Sequence, residues 1–346
     1  MQRTKIYIQA AEQISIQEPL SQQWMTEPLI HTEPSVRALN PSFGDYIAPK
    51  DARRMGNLIK RALVTTLKVF KDTGIDNPDA FISGTSIGSL DYTERFINEM
   101  VEHEEEALSP TYFMQSTHNT VGSTLAIYTK SHGYNITYSH SSCSFDKAVL
   151  DAWMQMQIGK IKTALVGGYD EMTDLCFELL QKTDYVGVEG MVPCGEVSMS
   201  MMLNTANNAG CLCELAGIRT GCLTDLEQMK EQLNDMLDEA NLTIDDLNAV
   251  MTGKNGNPEN DNCYTQVLDY LLPDMPLIWH KHIFGENFTS SALGLYAAAH
   301  CLNHGFIPSF LIDESRQCTP RETLKSILLF NQMNGREYSL ILLKKI

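Results

Sequence analysis

The chain has no run of about 18 uninterrupted apolar residues, the length a membrane-spanning helix needs, and its first residues, MQRTKIYIQAAEQI, lack the apolar stretch of a signal peptide. Cations are scarce: 26 Lys and Arg stand against 43 Asp and Glu, a net charge of −17. Nucleic acid and anionic lipid both require clustered cations, so this balance excludes them as partners. An acidic protein partner would have to dock on a local basic patch that the total hides. The nine cysteines form no CxxC pair and stand at no regular spacing from histidines. That excludes a disulfide frame or zinc site and fits reduced thiols in a cytoplasm. No nucleotide or metal motif occurs, and the polar turn from Ser139 to Ser144 carries no G-x-S-x-G elbow of the hydrolase kind. The expectation is a soluble, intracellular chain.

What is present is an ordinary globular composition, 43% hydrophobic and 20% charged over 346 residues, enough to bury a large core. Apolar and turn residues alternate as strands and helices. Lys5 to Ala10 reads as a first strand. From Asp51, apolar positions Met55, Leu58, Ile59, Leu63, Leu67 and Phe70 predict one long helix ending at Gly74. A strand with a Gly-rich exit follows over Ala80 to Gly88, then a helix from about Val121 to His132 and another from about Asp174 to Lys182. In the second half a helix is expected from Asp225 to Ala240. Cys211 to Thr220 reads as a strand in which Cys211 and Cys213 share one buried face. This alternation is an α/β architecture.

The most informative stretch runs from Tyr134 to Glu171. It reads as a strand, a tight polar turn over Ser139 to Ser144, a helix with Ala148, Val149, Ala152, Trp153, Met156 and Ile158 on one face, and a buried strand closed by Gly167-Gly168. A side chain at that turn meets the positive end of a helix, where an acyl-transfer nucleophile is well placed. The stretch resembles the nucleophile region of the β-ketoacyl-acyl-carrier-protein synthases of the thiolase superfamily. Other elements follow in that family's order: Gly84-Thr85-x-Ile87-Gly88, then Ser109-Pro110-Thr111-Tyr112-Phe113 and Asn119, then Gly195-Glu196 opening a strand with small residues Ser198 and Ser200. The resemblance covers nearly the whole chain.

At the positions that carry the family's chemistry the residues differ. Counting back from Gly159 and Gly167-Gly168 without a gap puts Ser142 at the nucleophilic cysteine's position; a one-residue insertion would put Cys143 there instead. Gly253 stands where the first catalytic histidine should be, within a stretch that keeps Pro258 and Asp261. Lys281 and Gly285 match the family's K-x-x-x-G-H, but Glu286 takes the second histidine's place. Of the Gly-rich C-terminal loop, Asn331, Gly335 and the strand Leu340 to Leu343 remain. Condensation needs a thiolate, two donors for the enolate and an oxyanion hole, and losing one such donor costs on the order of 10²–10³ in rate.

The resemblance therefore implies a five-layered αβαβα thiolase-like fold of two pseudo-duplicated halves, residues 1–206 and 207–346. It implies a protein similar to the chain-length factors that pair with an active ketosynthase in type II polyketide, aryl-polyene or flexirubin-type assembly. The cavity beneath Ser142 would then help define chain length. The alternative is an active 3-oxoacyl-acyl-carrier-protein synthase using Cys143, with His118, His140, His280 or His282 recruited to it. A Ser142–His140–Glu286 hydrolase is a third arrangement. Glu286 also reads simply as an ion-pair partner of Lys281. Expected partners are an acyl carrier protein and a second subunit, a copy or a catalytic ketosynthase, met through the strand Asn135 to Tyr138. No cofactor is expected beyond the carrier's phosphopantetheine arm.

Overall fold

The computed structural model describes residues 3–346 apart from 104, 105, 107, 317, 319 and 322. Its elements fall into two runs. The first is β1 (Tyr7–Ile14), the short α1 (Pro49–Ala52), α2 (Asn57–Thr73), β2 (Ala80–Gly84), α3 (Leu90–Glu102), α4 (Pro110–Ser116), α5 (Thr120–Thr129), β3 (Tyr134–Tyr138), α6 (Ser144–Gln157), β4 (Thr163–Asp170), α7 (Asp174–Gln181) and β5 (Val197–Asn204). The second is β6 (Cys213–Cys222), α8 (Leu226–Glu239), β7 (Leu247–Thr252), α9 (Pro258–Leu271), β8 (Leu277–Trp279), the short α10 (Lys281–Phe284), α11 (Ser291–His304), β9 (Ser326–Met333) and β10 (Glu337–Lys344).

The strand order is β3-β2-β4-β5-β1 followed by β6-β10-β9-β7-β8. Each run thus uses the order third, second, fourth, fifth, first. Directions repeat too: the second strand is parallel to the third and fourth, and the fourth, fifth and first are antiparallel in turn. The parallel pairs require crossover helices, which α5 and α6 supply in the first run and α9 and α11 in the second. The runs meet along a short seam, with Tyr7 paired to Glu214 and Ile8 to Cys213.

Alternation along the strands builds the layers. On β4 and β5, Ala164, Val166, Met199, Met201 and Leu203 face a central core, while Leu165, Tyr169 and Met202 face an outer one with α2 and α5. On β9 and β10, Ile327, Leu329, Ile341 and Leu343 face the same central core, while Leu328, Phe330, Leu340 and Leu342 face a second outer one with α8 and α9. The central layer is α6 and α11. Every residue of α11 from Ser291 to Leu302 is buried, as expected of a helix with apolar and small residues all round. The arrangement is helix, sheet, helix, sheet, helix.

Several local expectations are met and three are corrected, the first being Ile158, expected on the buried face of α6 but found exposed at its C-cap. Gly74 ends α2 in the left-handed region at φ +69°, and the Asp225 carboxylate caps α8 by accepting from the Gln228 N–H. The single helix expected from Asp51 is broken between α1 and α2. Gly56 there is extended, and the Tyr92 ring lies where a continuing side chain would go. Cys211 precedes β6, so only Cys213 of that pair is a buried strand residue.

Candidate functional site

The site forms where β3 gives way to α6. Ser141 holds the turn in the left-handed region at φ +46°, a conformation a non-glycine residue adopts only under constraint. The constraint comes from Ser144, whose hydroxyl accepts from the His140 N–H at 2.8 Å and donates to the Ser141 carbonyl at 2.6 Å. Cys143 is the helix N-cap and is 1% exposed. Burial pushes its thiol well above the ordinary range, and the Asp146 carboxyl adds to the shift. Desolvation here outweighs the helix end that was expected to favour a thiolate. Ser142, one residue earlier, is half-buried and lines a cavity of about 330 Å³.

Lys281 and Glu286 lie in the same cavity, the first opening α10 and the second just past its C-cap Gly285. The Lys281 Nζ donates to both carboxylate oxygens of Glu286, at 2.9 and 2.7 Å, and Asn255 Nδ2 donates to one of them at 2.6 Å. Glu286 is thus held as an acceptor and offers no proton. Its backbone is pinned as well, by the Gly195 N–H to its carbonyl and its own N–H to Pro193 O, both 2.8 Å. Gly285 makes this possible, with φ +81° and a Cβ position only 2.9 Å from the Gly195 backbone.

Gly253, the third position singled out in the sequence, is buried beside the cavity. A Cβ there would lie 2.4 Å from the Tyr264 hydroxyl. Tyr264, reaching in from α9, therefore fills the space that a side chain at 253 would need. Its hydroxyl donates to Asn331 Oδ1 at 3.3 Å, and Asn331 Nδ2 donates to the Ser142 carbonyl at 2.9 Å and to Asp146 Oδ2 at 2.7 Å. Asn260 and Gln332 continue this carboxamide network, joined at 2.8 Å. The lining is Ser142, Tyr185, Asn255, Asn257, Glu259, Asn260, Cys263, Lys281, Glu286, Asn331, Gln332, Asn334 and Gly335, with no aliphatic side chain among them. Such a wall does not suit a long acyl chain, so the chain-measuring role expected of this cavity finds no aliphatic side chain in it.

None of the four histidines lines the cavity. His140 is engaged with Glu337 on β10 at 2.9 Å, and His118 lies beside Gly88. His280 and His282 are turned to the Ser290 and Phe310 carbonyls, and burial lowers them to about 3 and about 4. The Ser142–His140–Glu286 arrangement is accordingly not assembled, because its histidine and its carboxylate are each bound elsewhere. Sequence reasoning missed Tyr264, Asn260 and Asp146. It took Gly335 as a remnant of a longer Gly-rich loop, whereas Asn334 and Gly335, both at positive φ, open the three-residue turn (334–336) that makes a hairpin of β9 and β10.

A second feature is a groove of about 1100 Å³ lined by Lys50, Arg53, Arg54 and Lys130 with Asp51 as its one acid. Among the described residues no cluster of His, Cys, Asp or Glu could hold a metal ion, and no helix is long and apolar enough to cross a membrane. All nine cysteines are free.

A duplicated five-layer fold with a strand, a strained turn and a buried helix at its centre defines a thiolase-like protein of the ketosynthase type. The family model for the N-terminal domain of beta-ketoacyl synthases matches residues 22–252, and the chain belongs to that family. No curated protein matches it in sequence. Among solved structures it is similar to the ishigamide ketosynthase/chain length factor, with a TM-score of 0.83 and 14% identity over 99% of this chain and 100% of that one. It is also similar to a type II PKS acyl-carrier protein in complex with its ketosynthase bound to the hexaketide (0.77, 14%, 99% and 100%). A third is a ketosynthase in complex with its chain length factor from Xenorhabdus doucetiae (0.76, 14%, 99% and 98%). At these identities the likeness is one of fold.

Proposed function

We propose that this chain is a ketosynthase-like subunit without condensing activity of its own, acting as a chain-length-factor-like partner of an active ketosynthase in polyketide-type or aryl-polyene-type assembly. The observation that carries the reading is the joint state of the three catalytic positions: a serine with no base beside it, a glycine whose space Tyr264 fills, and a glutamate neutralised by Lys281. A serine hydroxyl without a base is a poor nucleophile at neutral pH, and the site offers neither histidine donor for an enolate.

Two surfaces support the partners. β3 is the sheet edge and, among the described residues, pairs only with β2. On α5 and α6, which pack against it, stand the exposed Ile127 and Met154. An open edge flanked by apolar side chains is covered in a stable protein, here by a second subunit. The groove of Lys50, Arg53, Arg54 and Lys130 is the local basic patch for an acidic carrier protein. We infer a cytoplasmic location, which the free thiols support.

The test is intact-mass spectrometry after incubation with acyl- and malonyl-loaded carrier proteins, alone and with a ketosynthase from the same source. The expected result is no adduct on the isolated chain and a stable complex in which the partner is loaded. An acyl adduct on Ser142 or Cys143, lost in the matching alanine variant, would overturn the reading in favour of an active 3-oxoacyl-carrier-protein synthase.

A further inference from the structure

The Ser142 cavity has polar walls whose one cation is paired, and its carboxamides leave acceptors open. Asn260 Nδ2 donates to Gly253 O, Asn255 Oδ1 and Asp261 Oδ1, and Asn331 Nδ2 to Ser142 O and Asp146, so both N–H groups of each are engaged. The oxygens of Asn331 and Gln332 take one bond each, from Tyr264 and the Gly335 N–H, and keep a lone pair. Lys281 is the sole cation among the lining residues, and Glu286 covers it. Glu259 at the rim adds another negative charge.

We propose that Glu286 sets the ligand preference of this cavity: by neutralising Lys281 it makes the site admit a neutral, amide-bearing arm and reject a small carboxylate such as a malonyl group. The proposal rests on the reading of the site as non-condensing and names what such a site can hold. Physically, a carboxylate entering the cavity would lose its hydration, meet Glu286 at close range and find no uncommitted cation. An amide N–H would meet the free lone pairs of the carboxamide wall. Without Glu286 the same Lys281, 9% exposed at its side chain, would be a buried charge in need of an anion.

The experiment titrates the purified protein with two pantetheine derivatives whose acyl groups are joined by a stable amide, one propionyl and one malonyl, by calorimetry. The wild-type chain is expected to bind the propionyl probe at least about tenfold more tightly than the malonyl probe. Glu286→Gln should reverse that order, and adding Lys281→Met should abolish the gain for the malonyl probe. Equal or tighter binding of the malonyl probe by the wild type overturns the proposal, as does an unchanged ratio in folded Glu286→Gln. Should that variant not fold, judged by circular dichroism, the wild-type ratio decides alone. The amide probes cannot acylate the protein, so this result is independent of whether a thioester forms an adduct on Ser142 or Cys143, the outcome that would sink the non-condensing reading.

Discussion

A histidine built onto Gly253 would collide with the Tyr264 phenol, held by burial and by its bond to Asn331. Gly253→His is therefore expected to destabilise the fold by about 1–3 kcal/mol, the usual range for overpacking, measured by urea unfolding. In a Tyr264→Ala background the same substitution should cost less than about 1 kcal/mol, because the removed ring leaves the space it needs. An equal cost in both backgrounds would mean that the phenol is not what excludes the histidine. The stretches around Ser142, Gly253 and Glu286 could be picked out in the sequence, since each sits inside a recognisable motif. Tyr264 could not. Its partner glycine lies eleven residues earlier on a different element, and nothing in a helix pattern says where one tyrosine of the buried face points.

At the level of elements, α11 shows how context decides the sign of a substitution. In an exposed helix Gly→Ala is worth about 1 kcal/mol in favour of alanine. Gly294 lies instead against the His280 ring, with a Cβ position 2.9 Å from Cε1, and that ring is buried and bonded to the Ser290 carbonyl. Gly294→Ala is expected to lower the stability by about 1–3 kcal/mol by the same overpacking; a stabilised variant would show that the ring moves freely. The nucleophile-region unit, the capped α8 and the Gly74 stop were readable because they depend on neighbours in sequence. The break between α1 and α2 was not, because the periodicity runs on through Arg53 to Gly56 and the interruption is imposed by Tyr92 from α3. The tight β9–β10 hairpin carried an Asn-Gly signal, overlooked because a longer loop was expected from the family.

Two predictions concern the whole molecule. His300 is buried in the central layer and burial lowers it to about 4. Such a group leaves stability unchanged above its unfolded value near 6.5 and lowers it as pH falls from there to about 4, since only the unfolded chain takes up the proton. His300→Leu should gain on the wild type by about 1.4 kcal/mol per pH unit across that window; parallel pH profiles in chemical unfolding would contradict it. The second concerns the charge of −17. Arg53→Glu with Arg54→Glu should weaken carrier binding by at least about tenfold at low salt, an effect that added salt erases; undiminished binding would place the docking surface elsewhere. The central layer has a consequence for synthesis. α6 leaves the ribosome with the first five strands, but the other helix of its layer, α11, follows more than about 80 residues after β5, several seconds at ~5–20 residues per second. Throughout that interval the inner faces of β1 and β5, against which α11 packs, lack that cover, so the nascent first half is where a chaperone would be needed, and slowing translation between β5 and α11 would lower the soluble yield.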